Sequence, residues 1–184
     1  MAEVGEPAAE HMTFTVTKTS EGYVQPAEMT PSGSLTLDWI RRYPTHRRLV
    51  DSLHIYKHGQ NPAEVICEAL AQALVPYYPI AGRIVQMEGC EPRIECTGEG
   101  VWFVAAFANY SLADVNYLER PIMLEQNDIL PYTELETSPA NTLMMIQVTK
   151  FTCGGFLIGV RFNHASADGL GLAQVISAIG DLIF

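Results

Sequence analysis

Within five residues, His164-Ala165-Ser166-Ala167-Asp168, the sequence places an imidazole, a hydroxyl and a carboxylate, groups from which proton transfer and nucleophilic catalysis are built. Their spacing narrows the chemistry. Ser166 lies too close in sequence to His164 for an obvious Ser-His-Asp triad, and no G-x-S-x-G turn is present to display a nucleophile, so hydrolysis is disfavoured. A zinc site would want a third protein ligand, and neither His54 nor His58 comes with a pattern that supplies one; no metal is expected. What remains is His164 as a lone general base, histidine being the side chain that can take a proton from a hydroxyl or amine at cellular pH. The competing reading is a core histidine satisfied by a backbone carbonyl, the commoner fate of a polar group on a buried face. Spacing alone leaves both open.

These residues must be positioned by the elements on either side. Phe156, Ile158, Val160 and Phe162 alternate on one face of a strand, and His164 is next in that row. After Asp168-Gly169 the period changes: Leu172, Val175, Ile176, Ile179 and Ile183 follow the three- and four-residue steps of one helix face. Asp168 then stands where a helix N-cap belongs and is assigned a structural role. Leu143–Phe151 and Phe156–Asn163 predict a hairpin, with Gly154 and Gly155 permitting the turn.

Upstream, residues 1–12 read as a loose tail and Phe14–Lys18 as a strand. A short helical signal surrounds Leu37, Trp39 and Ile40, and Arg41, Arg42, Arg47 and Arg48 form a basic cluster read as a solvated patch. Leu53–Tyr56 suggests another strand. A helix is expected over 61–75, with Asn61 as cap, Pro62 in the first turn and Glu64 completing a capping box. Its buried face would carry Val65, Ile66, Ala69, Leu70, Ala73 and Leu74. Pro76 ends it, and Tyr77 to Arg83 turns the chain into a strand near Ile84–Met87, with Tyr77 and Tyr78 as packing residues and Arg83 facing an acid. Arg93–Cys96 and Val101–Phe107 suggest an antiparallel pair, and 114–139 is mostly connection. The fold class reached is mixed α/β with several antiparallel strands.

Composition removes other classes. The chain has 184 residues, 48% of them hydrophobic, and a formal net charge of −10, which disfavours nonspecific binding to nucleic acid or an anionic membrane. Cys67, Cys90, Cys96 and Cys153 show neither C-x-x-C spacing nor disulfide-framework density. The N-terminus lacks the features of a signal peptide and no run is long enough to span a bilayer. A cytoplasmic protein with reduced thiols is expected.

Three stretches, taken in order, resemble a known family. Tyr77-Tyr78-Pro79-Ile80-Ala81-Gly82-Arg83 matches a Y-Y-P-x-A-G-R segment, Gly100-Val101-Trp102-Phe103-Val104 a G-V-x-F-V strand, and His164 to Gly169, preceded by Gln147–Phe156, an H-x-x-x-D-G region. All three are similar to the plant BAHD acyl-CoA-dependent acyltransferases of secondary metabolism, from about Phe14 to the C-terminus. The surroundings of Trp39–Tyr43 are similar to the alcohol, benzoyl and taxane-type branch. The resemblance implies a chloramphenicol-acetyltransferase-like fold of two related domains, with the catalytic histidine at their interface. It implies His164 as the base that deprotonates a small-molecule alcohol or amine, acyl-CoA as co-substrate with no permanently bound cofactor, and Asp168 and Gly169 as structural motif residues. In the family that aspartate points away from substrate and pairs with an arginine.

Family members are about twice as long and carry a D-F-G-W-G motif that is absent here. The expectation is therefore a flexible tail at 1–12 and an N-terminal acyltransferase domain at 13–184, truncated, with the second domain and most of the CoA-binding surface missing. Leu37-Asp38-Trp39-Ile40-Arg41 also departs from the family's L-S-x-x-D, and Ala105 stands where glutamate is common. Two readings follow: an acyl-CoA-dependent acyltransferase, or a truncated, noncatalytic product that is unstable or associates through an exposed apolar face. Family members are usually monomeric; self-association of this chain is expected from that face.

Overall fold

The predicted hairpin is the middle of the molecule. In the computed structural model, which describes residues 14–132 and 141–183, Met144–Lys150 (β7) and Phe156–Asn163 (β8) run antiparallel and are buried almost throughout. Gly154 adopts φ +82° in the turn, a conformation open to glycine without a steric penalty. The chain enters through Val16–Val24 (β1), Gly33–Thr36 (β2) and Leu49–Tyr56 (β3), then forms the helix Pro62–Ala73 (α1). Arg83–Val85 (β4), Arg93–Cys96 (β5) and Val101–Ala108 (β6) follow, and a four-residue helix, Gln126–Ile129 (α2), precedes β7. After β8 comes the last helix, Gly169–Asp181 (α3).

Five strands form one sheet in the order β1-β6-β7-β8-β3, antiparallel except for the β6–β7 pair, and three form a second, β2-β5-β4. The mixed α/β class expected from the sequence is the class observed. β1 and β3 extend further than Phe14–Lys18 and Leu53–Tyr56 suggested. The expected pairing of 93–96 with 101–107 is not formed: β5 lies between β2 and β4, while β6 sits inside the large sheet. Burial explains the separation. β5 alternates between covered and half-covered positions, whereas six consecutive residues of β6 are buried, which requires layers on both faces.

Those layers are distinct. Helices α1 and α3 cover one face, packing Ile66, Leu70, Leu172, Val175 and Ile179 against Phe103, Ile146, Ile158, Val160 and Phe162. Tyr110, Leu112, Val115, Leu118, Ile129 and Leu130 cover Leu157 on the other. The segment read as mere connection is thus a wall of the core as far as it is described; residues 133–139, like the tail at 1–12, lie outside the described residues.

Two local expectations fail. Leu37 to Ile40 forms no helix: Asp38 Oδ1 accepts the Arg41 N–H at 2.9 Å, closing a turn instead. Asn61 does not cap α1 through its side chain, because its own backbone is left-handed (φ 45°, ψ 49°), which leaves Pro62 to open the helix. The buried face of α1 is otherwise as read, with Val65 only half-buried. The arginines of the basic cluster have separate partners: Arg41 pairs with Asp38, Arg42 with Glu91, and Arg47 Nη1 donates to Gln86 Oε1 at 2.7 Å.

Arg83 does face an acid, Glu99, at 3.4 Å, but its main work is with backbone. It is 7% exposed, donates Nη1 to the carbonyls of Gly82 (2.8 Å) and Gly100 (2.9 Å), and lies over the Tyr23 ring. The guanidinium thereby ties the small sheet to β1 and β6. Gly82 beside it is required by space: a Cβ there would sit 2.3 Å from the Glu95 carbonyl oxygen. This part of Y-Y-P-I-A-G-R is architecture.

Candidate active site

His164 occupies the first position after β8, half-buried, in a turn that one buried asparagine organises. Asn163 is fully buried; its Oδ1 accepts the Ala165 N–H at 3.0 Å, and its carbonyl accepts the Ser166 N–H at 2.9 Å and the Ser166 hydroxyl at 2.7 Å. Its own N–H reaches the Leu143 carbonyl at 2.8 Å, which pins the turn to the start of β7. Sequence reasoning passed over Asn163. An asparagine closing an apolar strand, followed by three small residues, is the signal that could have found it.

The His164 N–H donates to the Arg48 carbonyl at 2.9 Å, continuing the β3–β8 ladder by one pair beyond Leu49–Asn163. Its ring lies 6.5 Å from that of Phe162 with the planes 23° apart, so His164 does extend the apolar row. No side chain among the described residues hydrogen-bonds the imidazole. The backbone is fixed, and among the described residues the ring nitrogens have no side-chain partner.

The two polar neighbours are committed elsewhere. Ser166 gives its proton to the Asn163 carbonyl, so it is not a nucleophile aligned on His164. Asp168 caps α3 as its position in the sequence suggested, Oδ1 accepting the Gly171 N–H at 2.8 Å. That bond, more than the attraction of Arg41, holds the Asp168 carboxyl below the usual aspartate range. Arg41 itself is ion-paired to Asp38, and Asp168 makes no ion pair among the described residues. Gly169 opens α3, but a Cβ there would meet nothing within 4 Å; Gly171 is the tighter position, with Ala167 Cβ at 3.1 Å.

A lowered folded pKa means the cap stabilises above the ordinary aspartate range and its contribution is lost as pH falls through the folded value. Asp168→Ala is expected to lower the melting temperature by an amount that is constant from about pH 7 down to about pH 5 and shrinks below about pH 4. Paired thermal melts across that range check it.

Two of the three motifs meet here. Tyr77, Pro79 and Ile80 share the walls of a depression of about 310 Å³ with Ser166, Ala167 and Asp168, and Arg41 closes one side. Two residues from the lining Arg41 and Asp168 in sequence, Trp39 (69%) and Leu170 (73%) are among the most exposed large apolar side chains of the described residues. Elsewhere, His54 on β3 is hydrogen-bonded to Ser52 across 2.9 Å, and burial pulls its pKa down. His58 lies beyond the end of β3, at the opposite end of the sheet from His164. Cys67, Cys90, Cys96 and Cys153 are all free thiols. Among the described residues no three His, Cys, Asp or Glu side chains gather as a metal would require, and no helix is long and apolar enough to cross a membrane.

Known proteins are similar to this chain in sequence and in fold. A family model described as "Transferase family" matches residues 14–183. The rice protein Acyl transferase 9 (Oryza sativa subsp. japonica) is 55% identical over 174 residues, covering 92% of this chain and 42% of the relative. Myricetin 3-O-glucosyl 1,2-rhamnoside 6'-O-caffeoyltransferase AT2 of Crocosmia x crocosmiiflora is 48% identical, covering 93% and 40%. The chain thus spans about two fifths of the relatives it matches. Among solved structures, vinorine synthase superposes with a TM-score of 0.75 at 23% identity, covering 92% of this chain and 43% of that one. TRI101 of F. sporotrichioides, complexed with coenzyme A and T-2, does so at 0.63 and 17%, covering 83% and 39%. The fold is shared with those two structures, and on sequence the chain belongs to the BAHD-type acyl-CoA acyltransferase family.

Proposed function

We propose that this chain forms the histidine-bearing, N-terminal domain of an acyl-CoA-dependent acyltransferase, residues 13–184, and that a second domain completes the site. His164 acts as general base: the imidazole takes the proton of a small-molecule hydroxyl or amine, whose oxygen or nitrogen attacks the carbonyl carbon of the acyl-CoA thioester. The tetrahedral intermediate collapses with loss of the CoA thiolate, which recovers a proton from the imidazolium. The observation that carries this reading is the division of labour after β8. Ser166 and Asp168 are spent on the turn and the helix cap, whereas the His164 imidazole has no side-chain hydrogen bond among the described residues. Asp168 caps α3, Gly169 opens it, and neither takes part in chemistry. The similarity of the Trp39–Tyr43 region favours the alcohol, benzoyl and taxane-type branch, in a cytoplasmic setting.

The exposed Trp39 and Leu170, close in sequence to residues that line the depression, fit the same picture of an apolar face for a second domain to cover. They also favour a second reading of the chain by itself, as a noncatalytic domain that associates through this face.

The test joins residues 1–184 to the C-terminal half of the rice relative and measures free CoA with a thiol reagent. Release is expected only with acyl-CoA and an acceptor together, accompanied by the mass of the acylated acceptor. Release without acceptor would mean hydrolysis and would contradict the proposal. The 184-residue chain alone is expected to be inactive, and appreciable turnover by it would overturn the need for a second domain.

A further inference from the structure

The far end of the β7–β8 hairpin carries a second depression, about 590 Å³, roughly 25 Å along β8 from His164 at the usual strand rise. It is lined by Ile55, Lys57, His58, Leu112, Tyr117 and Cys153. Its three walls are stitched together by main-chain bonds. The Gly59 N–H donates to the Gly154 carbonyl at 3.1 Å, joining the loop after β3 to the hairpin turn. The Thr152 N–H donates to Tyr110 O at 3.1 Å, joining the turn to the segment after β6, and the Tyr117 N–H donates to Leu112 O at 2.8 Å. At Gly155 a Cβ would strike Leu112 at 2.6 Å, which shows how closely turn and wall are packed.

Asn116, Tyr117 and Leu118 hold φ values of +49°, +51° and +58°, three successive non-glycine residues in the left-handed region. Asparagine tolerates that region; tyrosine and leucine adopt it at a cost. Leu118 is buried, so the core accounts for it, but Tyr117 is 51% exposed and recovers little from packing. Strain kept at an exposed aromatic on the rim of a preformed depression is the pattern of a ligand clamp. The lining carries one fixed cation, Lys57, beside the imidazole of His58. Lys57 and His58 are exposed, neither side chain has a hydrogen bond or ion pair among the described residues, and no carboxylate is among the lining residues. In a chain of net charge −10, a lysine with no carboxylate among the residues around it is a local inversion of sign.

We propose that this depression binds a small aromatic anion, its ring between Tyr117 and Leu112 and its carboxylate or sulfonate against Lys57 and His58. The volume is ample for one or two fused rings, and apolar walls with a few converging polar groups are the usual make-up of such sites.

The test uses the 184-residue chain and 2-naphthoate as probe, followed by amide NMR shifts and by alkylation of Cys153 with iodoacetamide. Saturable shifts are expected at residues 57–59, 112–118 and 152–155, with alkylation of Cys153 slowed at least threefold and that of exposed Cys90 unchanged. The neutral 2-naphthylmethanol is expected to bind at least tenfold more weakly, as is 2-naphthoate to a Lys57→Gln/His58→Gln variant. Tyr117→Gly separates clamp from scaffold: it is expected to raise the melting temperature by roughly 2–4 °C while weakening binding at least fivefold. Shifts centred on another surface, equal binding of the neutral probe, or a Tyr117→Gly variant that binds undiminished would overturn the proposal.

Discussion

Gly159→Ala is expected to destabilise the protein by about 3 kcal/mol or more and to lower its melting temperature by roughly 6–12 °C. Gly159 lies in the middle of β8, on the face opposite α1 and α3, where the backbone of α2 crosses the sheet. A Cβ at 159 would sit 2.1 Å from the Ile129 carbonyl oxygen and 3.4 Å from Leu130 Cα. The crossing segment cannot yield cheaply, because several bonds fasten it. Gln147, paired with Gly159 in the sheet, donates Nε2 to the Asp128 carbonyl at 2.7 Å, and Arg161 Nη1 donates to Pro131 O at 3.3 Å. Gln126 Nε2 reaches Asp51, which also holds Arg161 at 2.8 Å. Lifting the segment exposes Ile129 and Leu130, now 2% and 3% exposed and worth about 1.5–3 kcal/mol each. It also strips the buried Gln147 of a partner. Gly22→Ala is the matched control: a Cβ there meets nothing within 4 Å, and the change is expected to stay within about 0.5 kcal/mol. Denaturant melts of the two variants against the parent decide the matter.

That network also marks where the sequence is mute. The β7–β8 hairpin, the face of α3 and the cap at Asp168 were all legible, because each follows from local periodicity or a local hydrogen bond. His164 was legible as the end of an apolar row. Gln147 was not, since a glutamine in an apolar strand announces neither a role nor the loop carbonyl it serves. The same holds for β5 and β6, four residues apart in sequence yet in different sheets: the linker permits a hairpin, and only the layers covering both faces of β6 forbid it. Asn61 shows the reverse error, a residue of the right type and position whose left-handed backbone keeps it from capping. At the site, local grammar placed Asp168 correctly, but Asn163, which sets the turn, acts partly through Arg47 and Leu143, distant in sequence.

The proposed chemistry rests on one side chain. His164→Ala keeps the backbone bonds of the turn, because the His164 N–H to Arg48, the Asn163 contacts and the Asp168 cap do not involve the imidazole. Stability should therefore change little, while any rate that depends on a positioned base falls by about 10²–10⁴-fold. Asp168→Ala is expected to act in the opposite sense, lowering stability and leaving kcat much less affected.

The most direct measurement is kcat/KM for acyl transfer to an alcohol or amine acceptor, in the two-part protein described above, for the parent and for His164→Ala, with thermal melts confirming that both are folded. A fall of about 10²-fold or more with an unchanged melting temperature is the result this account requires. Turnover undiminished by the loss of the imidazole would contradict it.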